Sequence, residues 1–98
     1  MLTSERKIQS LDDLRDYVNE TLCEFDQLEC GAFLMTERVL TRGGKPCGLY
    51  FCLHGPRAVR FSAIWETQNN TVLFYNSGGK RFRKTQLAPA AELELAAA

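Results

Sequence analysis

The residues of this 98-residue chain whose types could do chemistry are few, and the cysteines and the single histidine come first. Cys52 and His54 sit two apart in a stretch that alternates like a strand, so both take the same face. At that spacing they lie about 7 Å apart, too far for the direct hydrogen bond by which a histidine activates a thiol nucleophile. Cys23, Cys30, Cys47 and Cys52 are spaced C-x6-C-x16-C-x4-C. A zinc knuckle needs a C-x2-C pair, which is missing, and a rim histidine beside buried, reduced thiols explains the same residues. Asp12, Asp13, Asp16, Glu20 and Glu24 crowd one stretch instead of facing each other across a cleft, which leaves general acid–base catalysis without a site. The segment SGGKR lacks the first glycine and the trailing Ser or Thr of a phosphate-binding loop, and no G-x-G-x-x-G occurs. The expectation is a protein with no catalytic residue, no cofactor and no metal.

Charge carries more information. The net charge is zero, yet residues 1–37 hold three basic residues (Arg6, Lys7, Arg15) against nine acidic ones, a balance of −6. Residues 38–91 hold nine basic residues against Glu66 alone, a balance of +8, and Glu92 with Glu94 restore zero. Lys80, Arg81, Arg83 and Lys84 surround Phe82, and Arg57 and Arg60 stand near an earlier turn. Cations around an aromatic ring suit the phosphates and bases of a nucleic acid, with binding that weakens as salt rises. Two plainer explanations fit the same run. Positive charge on an edge strand discourages strand-to-strand aggregation, and the basic half can pair with the acidic half within or between subunits.

From Gly55 onward, GPRAVRF, the hairpin after it and then GGKRFRKTQLAPAAEL resemble the double-stranded-RNA-binding domain in its GP-containing loop, its central strands and the basic N-terminus of its last helix. The resemblance covers less than half of the chain and implies phosphate contacts from Arg57, Lys80, Arg81 and Lys84. Pro89 falls where that last helix should run on, and a long hairpin from Ala32 to His54 separates the first helix from the GP loop.

The elements that must position these residues follow from periodicity. Ser10 suits a helix N-cap, with Asp12, Asp13 and Asp16 in the first turns, where negative charge favours the positive end of the helix dipole. Leu11, Leu14, Val18, Leu22, Phe25 and Leu28 recur at steps of three and four, with Tyr17 at the edge of the stripe, and the acidic residues take the opposite side. Gly31 suits the left-handed stop, which predicts a helix over 10–29. Strands are predicted over Ala32–Thr41, Cys47–His54, Ala58–Thr67 and Thr71–Asn76, joined by turns at Arg42 to Pro46, Gly55-Pro56 and Asn69-Asn70. Residues 80–87 can return as a fifth, edge strand. Residues 1–9 read as a polar, frayed lead-in, and LAPAAELELAAA as either a short helix or a frayed tail.

These elements make one domain over 1–98, with ends at 1–9 and 88–98 expected to be flexible. It is α+β: an N-terminal amphipathic helix packed on a four- or five-stranded antiparallel β-meander, with a short C-terminal helix possible. The helix covers one sheet face, and the other carries Tyr50, Cys52, Ile64, Leu73 and Tyr75, which the C-terminal segment or a second copy would have to cover. No apolar run approaches 18 residues and MLTSERKIQS has no apolar signal-peptide core, so the expected place is the cytoplasm, without a membrane partner. Two functions remain open. One is a protein-interaction module, most simply a homodimer, using Tyr50, Ile64, Leu73 and Tyr75 or pairing the acidic helix with the basic edge. The other is a nucleic-acid-binding module using Arg57, Arg60, Lys80, Arg81, Arg83 and Lys84.

Overall fold

Alternation of Leu49, Phe51 and Leu53 with Tyr50, Cys52 and His54 gives a strand two unlike faces, and the chain repeats that device through its second half. The structure is a computed structural model and describes the backbone of residues 2–6 together with residues 10–25, 27–29 and 31–87. In chain order come β1 (Leu2–Arg6), α1 (Leu11–Phe25), β2 (Met35–Arg42), β3 (Lys45–His54), a 3-10 turn (Pro56–Ala58), β4 (Arg60–Glu66), β5 (Thr71–Tyr75) and β6 (Arg81–Leu87). They build one six-stranded sheet in the order β1-β6-β5-β4-β3-β2. From β2 to β6 the sheet is an antiparallel meander with α1 on one face, the α+β architecture expected from the sequence. No helix among the described residues is long and apolar enough to cross a membrane.

Beyond shifts of one or two residues at strand ends, such as β3 beginning at Lys45 instead of Cys47, three features differ from expectation. Residues 2–6, read from their polarity as a frayed lead-in, form a strand parallel to β6, with Leu2 opposite Arg83 and Arg6 opposite Leu87. The segment LTSER carries no apolar alternation from which a strand could be read. Because of β1, the basic strand β6 lies inside the sheet and not at its edge. Second, the helix ends at Phe25 instead of residue 29. Gln27 takes the left-handed conformation (φ 56°), with Gln27 N–H donating to the Glu24 carbonyl at 3.2 Å and Leu28 N–H to the Cys23 carbonyl at 2.7 Å. That is the paired closure of a Schellman motif, formed four residues before Gly31. Third, β2 begins at Met35 and not at Ala32. The C-terminal helix considered for residues 88–98 lies outside the described residues.

At the other helix end Ser10 acts as expected, its Oγ accepting the Asp13 N–H at 3.1 Å. Leu14, Tyr17, Val18, Leu22 and Cys23 bury against Leu49, Phe51 and Leu53 of β3, Phe61, Ala63 and Trp65 of β4, Val72 and Phe74 of β5 and Leu87 of β6. Phe25, expected in the buried stripe, is 47% exposed and stacks on Phe82 with ring centroids 3.8 Å apart. Two polar ties fix the helix on the sheet. Tyr17 Oη and Thr85 Oγ1 share a buried hydrogen bond of 2.6 Å, and Arg15 forks onto Glu37 of β2 at 2.7 and 3.0 Å. The hydrogen-bonded Glu37 carboxylate raises the Arg15 pKa, against partial burial, with Asp12 at 2.8 Å adding to the rise.

Candidate functional site

Because α1 covers only one face, strand parity decides what the other face presents. One cross-strand row runs Arg38, Tyr50, Ile64, Leu73, Lys84 from β2 to β6. The next runs Thr36, Cys52, Ser62, Tyr75, Arg81, and a third runs Leu40, Gly48, Glu66, Thr71, Gln86. Arg60 stands opposite His54 at the end of the face. Tyr50, Ile64, Leu73 and Tyr75, the residues expected at an interface, are thus brought together in two adjacent rows. Tyr50, Ile64 and Tyr75 are half-buried, while Leu73 at 8% exposure and Cys52 at 7% are largely covered by their neighbours.

The basic residues expected to bind nucleic acid divide. Arg60, Arg81 and Lys84 lie on the open face. Arg57 is exposed in the 3-10 turn with a left-handed backbone (φ 59°), and Lys80 is exposed in the β5–β6 turn, where its N–H donates to Asn76 Oδ1 at 3.0 Å. Arg83 points to the helix side. A bulge shifts the register between Phe74 and Tyr75, so that Phe74 faces Arg83 while Tyr75 faces Arg81. The extra residue, Phe82, packs between Phe25 and Phe74. One residue of slip reverses every side chain beyond it, and Arg83 therefore does not belong with Arg81.

Arg38 was missed in the sequence, although it borders Tyr50. The register of β2 with β3 places it on the open face, whereas the mixed polarity of Met35–Arg42, with a register shift after Leu40, carries no sequence signal for it. Arg38, Arg60, Arg81 and Lys84 pair with no carboxylate among the described residues, whose ion pairs are those of Arg15. Glu66 lies on this face, and by register Glu5 of β1 stands opposite Gln86 in the same row. Arg81 leans on Tyr75, donating to its hydroxyl at 3.2 Å with the guanidinium carbon 5.6 Å from the ring centre, a cation–π arrangement. Between Arg81, Lys84, Leu73, Thr71, Glu66 and Asn69 lies an open trough of about 570 Å³.

The cysteines and the histidine form no comparable site. His54 Nε2 and Thr36 Oγ1 lie 3.0 Å apart, and Thr36 also reaches the Cys52 carbonyl at 3.5 Å. Cys23, Cys47 and Cys52 are free thiols, and no group of three His, Cys, Asp or Glu among the described residues could hold a metal ion. Cys30 lies outside the described residues. The contacts implied by the resemblance to the double-stranded-RNA-binding domain change scaffold: Arg81 and Lys84 sit on a strand, not at the start of a last helix. In comparisons with protein-family models, curated proteins and solved structures, nothing matches the chain.

Proposed function

We propose that the protein is a non-enzymatic binding module that holds nucleic acid on the open face of its sheet. The observation that carries this reading is the grouping of Arg38, Arg60, Arg81 and Lys84, all without carboxylate partners, around Tyr50 and Tyr75 on the face opposite the acidic helix. Unpaired cations attract a polyanion and release its counterions, so affinity falls by a power of the salt concentration set by the number of phosphates contacted. Four contacts predict a loss of about fifty- to 150-fold between about 50 and about 200 mM salt. Fluorescence anisotropy with a labelled oligonucleotide measures this directly. The double change Arg81→Glu, Lys84→Glu is expected to abolish binding, whereas Arg83→Glu, on the far face, leaves it within about twofold, since it touches no phosphate. Binding that ignores salt, or no binding, overturns the proposal.

Self-association is the second reading, and one observation favours it in a particular form. Asp12, Asp13, Asp16, Glu20 and Glu24 are all exposed on the outer side of α1, so one molecule carries opposite charge on its two broad sides. Two open faces meeting in a symmetric dimer would set Arg38, Arg60, Arg81 and Lys84 of one copy against the same cations of the other. Head-to-tail stacking of an acidic helix on a basic face has the charges right, and it is a heterologous contact that need not close.

A further inference from the structure

We infer that the nucleic acid this face takes is single-stranded, its bases stacking on Tyr50 and packing over Ile64 and the Tyr75–Arg81 pair. The inference rests on the nucleic-acid reading above and goes beyond it in naming the strand state. In the row Arg38, Tyr50, Ile64, Leu73, Lys84, which Thr3 of β1 extends by one strand, a cation stands on either side of an apolar middle. At a strand spacing of about 4.8 Å the two cations stand about 19 Å apart. Tyr50 and Tyr75 are two strands and one row apart, about 12 Å, which is room for bases held separately. A duplex presents phosphates and sugars to such a surface and keeps its bases stacked inside. It would therefore desolvate the apolar middle without filling it. A single strand can satisfy both parts at once, phosphates toward Arg38, Arg81 and Lys84 and π-faces on the middle, as in other sheets that read unpaired bases. Arg81 is already held against Tyr75 by the 3.2 Å hydrogen bond, so one cation and one ring are in place before the ligand arrives.

The test compares a labelled ten-nucleotide strand of mixed sequence, the duplex made from it, and polyglutamate of similar charge, by anisotropy at low salt on the full chain. The expected order is single strand at least tenfold tighter than duplex, with polyglutamate weakest. Tyr50→Leu, which keeps apolar bulk, is expected to cost the single strand about tenfold or more, as stacking of one base does. Tyr50→Phe restores the affinity, and neither variant changes the salt slope. Duplex bound as tightly as single strand, or Tyr50→Leu without effect, overturns the inference and leaves the nucleic-acid reading standing. Polyglutamate bound as tightly as the oligonucleotide makes the partner an acidic protein segment and overturns both, as does binding to none of the probes.

Discussion

Gly48 is the residue on which the close approach of β3 and β4 depends. A Cβ built there would run into the Trp65 carbonyl oxygen, which is backbone and cannot rotate away. Gly48→Ala therefore forces β3 and β4 apart where Trp65, 1% exposed, anchors the core from the other side. The expected cost is about 1–3 kcal/mol, as for other overpacked sites, read as a lower denaturation midpoint at unchanged slope. A midpoint equal to that of the parent chain would show that the strands yield at this point. Arg83, three strands away on β6, differs from its expected placement at the same scale. Alternation counted from Arg81 assigns it to the open face, and a single bulged residue, Phe82, sends it to the other. Bulges leave no mark in a run of alternating basic and aromatic residues, so this position was not legible from sequence.

The elements were more legible than their ends. Strands β3, β4 and β5 declare themselves because one face is buried: Leu49, Phe51, Leu53, Phe61, Ala63, Trp65, Val72 and Phe74 all enter the core at every second position. The Gly43-Gly44 turn between β2 and β3 is equally plain, since both residues have positive φ (59° and 80°), as a tight hairpin of this kind requires. The strand β1 was hidden because LTSER carries no apolar alternation, and its pairing with β6 is a long-range contact that local sequence does not encode. The end of α1 was hidden because a glutamine, not the glycine four residues on, takes the left-handed position. That choice has an energetic consequence. A residue with a Cβ pays about 1–2 kcal/mol to be left-handed, part of which glycine loses again through its freer unfolded chain. Gln27→Gly is expected to stabilise the fold by about 0.5–1 kcal/mol, and thermal or chemical unfolding measures it. No gain, or a loss, would mean that the helix end is held by the packing of Leu28 on the core and not by the closure at Gln27.

On the scale of the whole molecule, the sheet separates two surfaces of opposite sign. The exposed carboxylates of α1 face one way, and Arg38, Arg60, Arg81 and Lys84 face the other. Attraction between unlike sides of two copies is screened within about 10 Å at about 0.1 M salt, so head-to-tail association belongs to low salt and high concentration. Nucleic acid and a second copy would compete for the same cations, which ties the two readings to one experiment. In sedimentation velocity at low salt, the mean mass is expected to rise with protein concentration, and a molar excess of a short single strand is expected to return it to one chain plus one oligonucleotide. The charge-reversed Arg81→Glu, Lys84→Glu protein should lose both behaviours together. If the oligonucleotide instead binds to the assembled form without dissolving it, the copies meet through some surface other than the open face. The acidic side of α1 would then serve to repel further polyanions from the back of the molecule, leaving the sheet as the side that receives one.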